Sequence, residues 1–122
     1  MPLLLLLSSL LFIQMADYKV VTSQELLGLV ETQSAQLVDV RTPGEWAKGY
    51  IKGASKINFY SNDFMDQLEN VDKNEPVILY CAVGGRSAKA AEALVAAGYK
   101  KVYDYRGGFK GWLAEGRAVV VD

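Results

Sequence analysis

Short apolar runs alternate with helical periodicity along the chain from Asp17 onward. Tyr18 to Val21 has the pattern of a short strand. Thr22-Ser23-Gln24-Glu25 then fits a capping box, in which Thr and Glu three residues apart satisfy each other's backbone N–H groups. It predicts a first helix with Leu26, Leu27 and Val30 as its buried stripe. Gln36 to Val40 is a second apolar strand, and Thr42-Pro43-Gly44-Glu45-Trp46 opens a brief helical turn with Pro at a favoured first position. Lys56 to Phe59 predicts a third strand. Ser61 is placed to cap a helix whose Phe64, Leu68 and Val71 recur at helical spacing. Val77 to Tyr80 is the most apolar strand, followed by a tight loop (Cys81 to Gly85). A helix from Arg86 then carries Ala88, Ala91, Leu94 and Val95 on one face, and Gly98 ends it as a left-handed cap. Lys101 to Tyr105 is the last strand, and Gly107 to Trp112 turns into a closing helix. Strands alternating with helices over short loops predict an α/β fold. The sheet is open and parallel, of about five strands, with helices on both faces.

Such sheets bind ligands outside the carboxyl ends of their strands. Cys81 lies at one such end, Asp39 and Arg41 at another, and Arg106 follows a third. The segment Ala82-Val83-Gly84-Gly85-Arg86-Ser87 is small and glycine-bearing, so its backbone is able to curl N–H groups toward one point next to a helix N-terminus. A thiol held at that point is expected to ionise easily. A lone cysteine at a strand end is also commonly a small core residue. The glycine pair, the cation and the helix start within five residues favour a reactive thiol.

Composition narrows the chemistry. The chain has 122 residues, enough for one domain with its own core. Its 51% hydrophobic and 22% charged residues are an ordinary globular balance. Thirteen basic and fourteen acidic side chains leave a net charge of −1, which argues against a nucleic-acid partner. There is one cysteine and no histidine. An internal disulfide, a zinc site built on His and Cys, and any Cys-His or Ser-His-Asp arrangement are thereby set aside. If Cys81 reacts, it does so without a histidine base.

Residues 1–16 form a separate apolar leader ahead of a domain spanning 17–122. Leu3 to Ile13 is too short to span a bilayer but fits the core of an export signal or anchor. No Lys or Arg precedes it, and Met15-Ala16-Asp17 resembles an ordinary start, so an added extension is the competing reading. A genuine signal implies an exported, periplasmic protein, and an extension implies a cytoplasmic one.

From Asp17 onward the chain resembles a single-domain rhodanese, a thiosulfate sulfurtransferase-like protein. Three motifs carry the resemblance. Asp39 to Trp46, continuing from Gly49 to Ala54, is similar to the family's first signature. Tyr80 to Ser87 is similar to its active-site loop, and Arg106 to Trp112 to its closing signature. Tyr50 stands where the family most often has histidine.

The resemblance implies a rhodanese-like fold and a persulfide relay. Cys81 is the implied nucleophile, taking the outer sulfur of a donor such as thiosulfate and passing it to cyanide or a thiol. Arg86 joins it as a fixed cation. The N–H groups from Ala82 through Val83, Gly84 and Gly85 are expected to cradle the persulfide, with Arg41 and Arg106 at the rim drawing the donor. Asp39 is read as scaffolding paired with Arg86 or Arg41. No cofactor or metal is implied. The implied partners are small sulfur donors and thiol acceptors, a sulfur-carrier protein among them. Two rivals remain at this point. One is a phosphatase or arsenate reductase of Cys-loop-Arg design, which places five residues between Cys and Arg where this chain has four. The other is a non-catalytic docking module.

Overall fold

A computed structural model describes residues 17–122; the expected leader lies outside the described residues. The elements are β1 (Lys19–Val21), α1 (Ser23–Gln33), β2 (Gln36–Asp39), α2 (Pro43–Trp46), β3 (Ser55–Lys56), α3 (Phe64–Gln67), β4 (Val77–Tyr80), α4 (Gly85–Ala96), β5 (Val102–Tyr105) and α5 (Gly108–Ala114). A 3₁₀ turn, Leu68–Asn70, extends α3. The five strands form one sheet in the order β1-β5-β4-β2-β3, and every pairing is parallel.

β4 is the central strand and all four of its residues are buried. Successive side chains of a strand point to opposite faces, so β4 feeds two cores. Val77 and Leu79 join Val38, Leu68, Ala91 and Leu94 beneath α3 and α4. Ile78 and Tyr80 join Leu26, Leu37, Phe109 and Trp112 beneath α1 and α5. Burial on both faces is why the strands are continuous apolar runs. No described helix is long and apolar enough to cross a membrane.

Several local expectations shift. The capping box of α1 is present, with Thr22 N–H donating to Glu25 Oε1 (3.0 Å) and Glu25 N–H to Thr22 Oγ1 (3.1 Å). Its stripe is narrower than expected. Leu26 is buried and Leu29 packs beside it, whereas Leu27 and Val30 are 41% and 40% exposed. Only positions three apart reach this edge of the sheet. β3 shrinks to two residues because β2, its partner, ends at Asp39. Ser61 does not cap α3 with its side chain. Its carbonyl accepts from Phe64 N–H and its hydroxyl bonds Asp63. Phe64, Leu68 and Val71 are buried as expected. In α4 the buried face is Ser87, Ala90, Ala91 and Leu94, a small rotation from expectation that turns Ser87 inward. Gly98 follows that helix at φ +93°, a left-handed stop favouring glycine.

The C-terminal segment closes back on the chain at Tyr50, next to Ile51, whose N–H donates to the Tyr80 hydroxyl of β4 at 3.0 Å. Tyr50 and Val120 form an antiparallel bridge, Tyr50 hydroxyl bonds Asp122, and Lys56 Nζ sits 4.0 Å over the Tyr50 ring and 2.5 Å from Asp122. Tyr50 thus ties the C-terminal segment to the sheet edge.

Candidate active site

Cys81 directly follows β4, and the loop beyond it doubles back over the sulfur. Gly84 and Ser87 N–H groups donate to Cys81 Sγ at 3.1 and 3.4 Å. Ser87 Oγ is 3.6 Å from the same sulfur. Burial disfavours the thiolate, but hydrogen bonding from Ser87, through both backbone and side chain, and from the Gly84 and Val83 N–H groups outweighs it and holds the thiol below its ordinary value. Of the expected cradle from Ala82 to Gly85, Gly84 donates to the resting sulfur, and Ser87 joins it as a donor that the sequence pattern did not point to. Gly84 adopts φ +99°, and a Cβ there would stand 2.8 Å from Arg106 O. Only glycine allows that turn of the loop.

The sulfur opens into a pocket of about 300 Å³ lined by Phe59, Tyr60, Cys81, Val83, Gly85, Arg86 and Lys89. Val83 and Tyr60 stand at its mouth, 63% and 67% exposed. Lys89, one turn beyond Arg86 on α4, is a further member not expected from the sequence; its spacing from Arg86 on a predicted helix was the available signal.

Arg86 is held by a partner with no expected role. Its Nη1 and Nη2 donate to Glu45 Oε1 and Oε2 at 2.7 and 2.9 Å, a bidentate pair joining α4 to α2. Glu45 also accepts from Thr42 N–H at 3.1 Å and Thr42 hydroxyl at 2.9 Å. The Arg86 hydrogen bonds are the main reason that its carboxyl is lowered to about 2 from an ordinary 4.5. A carboxyl lowered on folding stabilises the native state fully above its unfolded value. That contribution is lost as pH falls toward the folded value. Urea unfolding midpoints measured from neutral pH downward are accordingly expected to fall between about 4.5 and 2. Glu45→Gln is expected to flatten that part of the profile. An unchanged slope in the variant would show that the pair does not couple to folding.

Arg41 does not reach the rim as expected. It is buried at 3% exposure, with Nε and Nη2 on the Asp39 carboxylate at 2.8–3.1 Å and Nη2 also donating to Gly49 O at 2.8 Å. Its guanidinium carbon lies 4.1 Å from the Phe109 ring centroid. Burying a guanidinium requires pairing, and Asp39 two residues earlier supplies it. Asp39 is thus paired with Arg41, not Arg86. Arg106 lies outside the pocket lining. Its side chain is half exposed, bonds Asp104 Oδ2 at 3.2–3.3 Å and reaches Tyr18 hydroxyl at 3.4 Å. Its backbone and Cγ pack under Gly84.

The closing segment supports the loop from below. Phe109 N–H donates to Cys81 O at 2.8 Å and Lys110 N–H to Ala82 O at 3.1 Å. Gly108, at φ +66°, permits this approach, since a Cβ there would lie 2.5 Å from Ala82 O. Three distant segments thereby meet at one loop. Asp39–Gly49 supplies Glu45 to Arg86 and Arg41 to Phe109, Cys81–Ser87 forms the cradle, and Gly108–Lys110 carries it.

Known proteins resemble this chain over most of its length. The family model of the rhodanese-like domain matches residues 22–115. Thiosulfate sulfurtransferase GlpE of Pseudomonas putida is 34% identical over 100 residues, covering 82% of this chain and 89% of the relative. A sulfurtransferase of Allochromatium vinosum is 34% identical over 92 residues, 75% of this chain and 84% of the relative. The crystal structure of a rhodanese-like domain protein from Staphylococcus aureus superposes with a TM-score of 0.72 at 37% identity, covering 85% of this chain and 98% of that one. The matched segment contains α1 through α5, with the cysteine loop and the segments that brace it, so the chain belongs to the rhodanese-like domain family.

Proposed function

We propose that this protein moves a sulfane sulfur from a donor such as thiosulfate to a thiophilic acceptor, cyanide or a thiol, through a persulfide on Cys81. One observation carries the reading. The chain's sole thiol sits beneath converging N–H groups at the floor of an open pocket. Relatives named as sulfurtransferases support it.

The first step forms one S–S bond and breaks another. The Cys81 thiolate attacks the outer sulfur of thiosulfate, the bond to the inner sulfur breaks, and sulfite departs with the electron pair. Cys81-S-S⁻ remains. An acceptor such as cyanide then attacks the outer sulfur, leaving as thiocyanate and restoring the thiolate. Charge balances in both steps and no proton transfer is needed, which suits a chain without histidine. The N–H groups of Gly84 and Ser87 favour the anionic sulfur before loading and after release.

In this reading Arg86 fixes the loop through Glu45. Its charge is largely answered there, so Lys89 is the cation left to meet an anionic donor in the pocket. Arg41 and Asp39 act as scaffold, and Arg106 braces Gly84. The same commitment of Arg86 to Glu45 disfavours the oxyanion-hydrolase rival, whose arginine has to face the oxygens of its substrate. Acceptors include small thiols and a sulfur-carrier protein, for which exposed Tyr60 and Val83 offer an apolar rim.

Intact-mass measurement tests the reading. Incubation with thiosulfate is expected to add one sulfur, about 32 Da, and cyanide to remove it with release of thiocyanate. No mass gain, or hydrolysis of an aryl phosphate that depends on Cys81, would overturn it.

A further inference from the structure

Asp104 is a fully buried carboxylate that the sulfur-transfer steps do not use. It projects from β5 toward Ser87 of α4, and Ser87 Oγ donates to Asp104 Oδ1 at 2.7 Å. The same Ser87 oxygen lies 3.6 Å from Cys81 Sγ and 3.2 Å from Gly84 O. A serine hydroxyl has one proton to give. The short contact to a carboxylate claims it, because charge-assisted bonds are the stronger ones. Ser87 Oγ then presents a lone pair to the sulfur, which suits a thiol and not a thiolate.

We propose that Asp104 and Ser87 are positioning residues for Cys81: the buried carboxylate competes with the sulfur for the single hydroxyl proton of Ser87 and so limits the acidity of the thiol. This rests on Cys81 being the reacting sulfur. The other charged groups around it come from each neighbouring element. Arg86 and Lys89 stand on α4, Glu45 on α2, and Arg106 beyond β5, where it pairs with the far oxygen of Asp104. Backbone N–H groups pull the thiol toward ionisation, and Asp104 with Ser87 restrains that pull. The restraint has a chemical use. A thiolate loses nucleophilicity as its pKa falls, and attack is best when that pKa is near the ambient pH.

The test is the pH dependence of Cys81 alkylation by iodoacetamide in four proteins: native, Asp104→Asn, Ser87→Ala and the double variant. Thermal unfolding checks the fold of each. In Asp104→Asn the amide oxygen stays on Arg106, which only donates, and the amide N–H₂ turns to Ser87 Oγ. The hydroxyl proton is then free for the sulfur. The expected midpoint falls by about one pH unit, a tenfold gain in acidity. Ser87→Ala alone is expected to move it by no more than about twofold, because that proton was not on the sulfur. Adding Ser87→Ala to Asp104→Asn is expected to return at least half of the shift.

Loading by thiosulfate gives a second readout. Below the native midpoint Asp104→Asn is expected to load faster. Above both midpoints it is expected to load about threefold slower, as the weaker dependence of nucleophilicity on basicity requires. A shift of the same size with or without Ser87 would reduce Asp104 to a simple charge and overturn the proposal. So would no shift at all. A tenfold rise of the midpoint in Ser87→Ala alone would show the hydroxyl already serving the thiolate, and that arm decides even if Asp104→Asn fails to fold. Alkylation needs no turnover, so failure here is distinguishable from failure of the sulfur-transfer reading.

Discussion

Cys81→Ser is expected to end sulfur transfer while leaving the fold in place. Thiosulfate adds no mass to this variant, and thiocyanate formation falls to background, a loss of about a thousandfold or more. The chain has no second thiol to substitute. A serine hydroxyl at that position accepts from the same Gly84 and Ser87 N–H groups, so the loop keeps its partners. The surrounding core of Val38, Leu79, Ala90 and Leu94 is untouched. Thermal unfolding of the variant is therefore expected within a few degrees of the native protein, since one kcal/mol corresponds to about 4 °C at this size. Thiocyanate production by the serine variant would remove Cys81 from the chemistry. An unfolded variant would require the softer Cys81→Ala exchange before that conclusion was drawn.

Gly108→Ala is expected to damage both stability and transfer, though the residue touches no substrate. Two costs combine at this position. The backbone is at φ +66°, where a side chain is strained, and the new Cβ would lie 2.5–2.7 Å from the carbonyl groups of Cys81 and Ala82. Neither obstacle is a flexible side chain. The chain must shift, and the bonds from Phe109 and Lys110 N–H to those carbonyls shift with it. Together these suggest a loss of about 3 kcal/mol, or about 12 °C in Tm, with transfer reduced at least about tenfold at temperatures where the variant is folded. Gly53 provides the control. It also has positive φ, +87°, but a Cβ there would meet nothing within 4 Å. Gly53→Ala should lose only about 1 kcal/mol and keep its activity. Equal losses in the two variants would mean that strain, not close approach, governs Gly108.

The sequence alone determined the architecture and singled out Cys81 as the candidate nucleophile. Alternating apolar runs and helical stretches are local properties, and the parallel sheet follows because each strand must bury both faces. The capping box at Thr22, the glycine stop at Gly98 and the single cysteine at a strand's end are likewise visible within a few residues. What surrounds the sulfur is not local. The pairing of Arg86 with Glu45 spans 41 positions, and that of Ser87 with Asp104 spans 17. Whether a charged residue near a strand end faces a pocket or a buried partner depends on which neighbour the fold brings alongside it. Arg41 therefore turned inward to Asp39 and Phe109, and Arg106 passed under Gly84, although both follow strand ends as Cys81 does. Gly108 falls within the closing signature, but the physical reason for a glycine there lies outside its own segment, in the carbonyl of Ala82 on another strand's loop. Local periodicity is enough to order the strands and helices, but the surroundings of a charge are set by packing across the sheet, and only tertiary structure decides those.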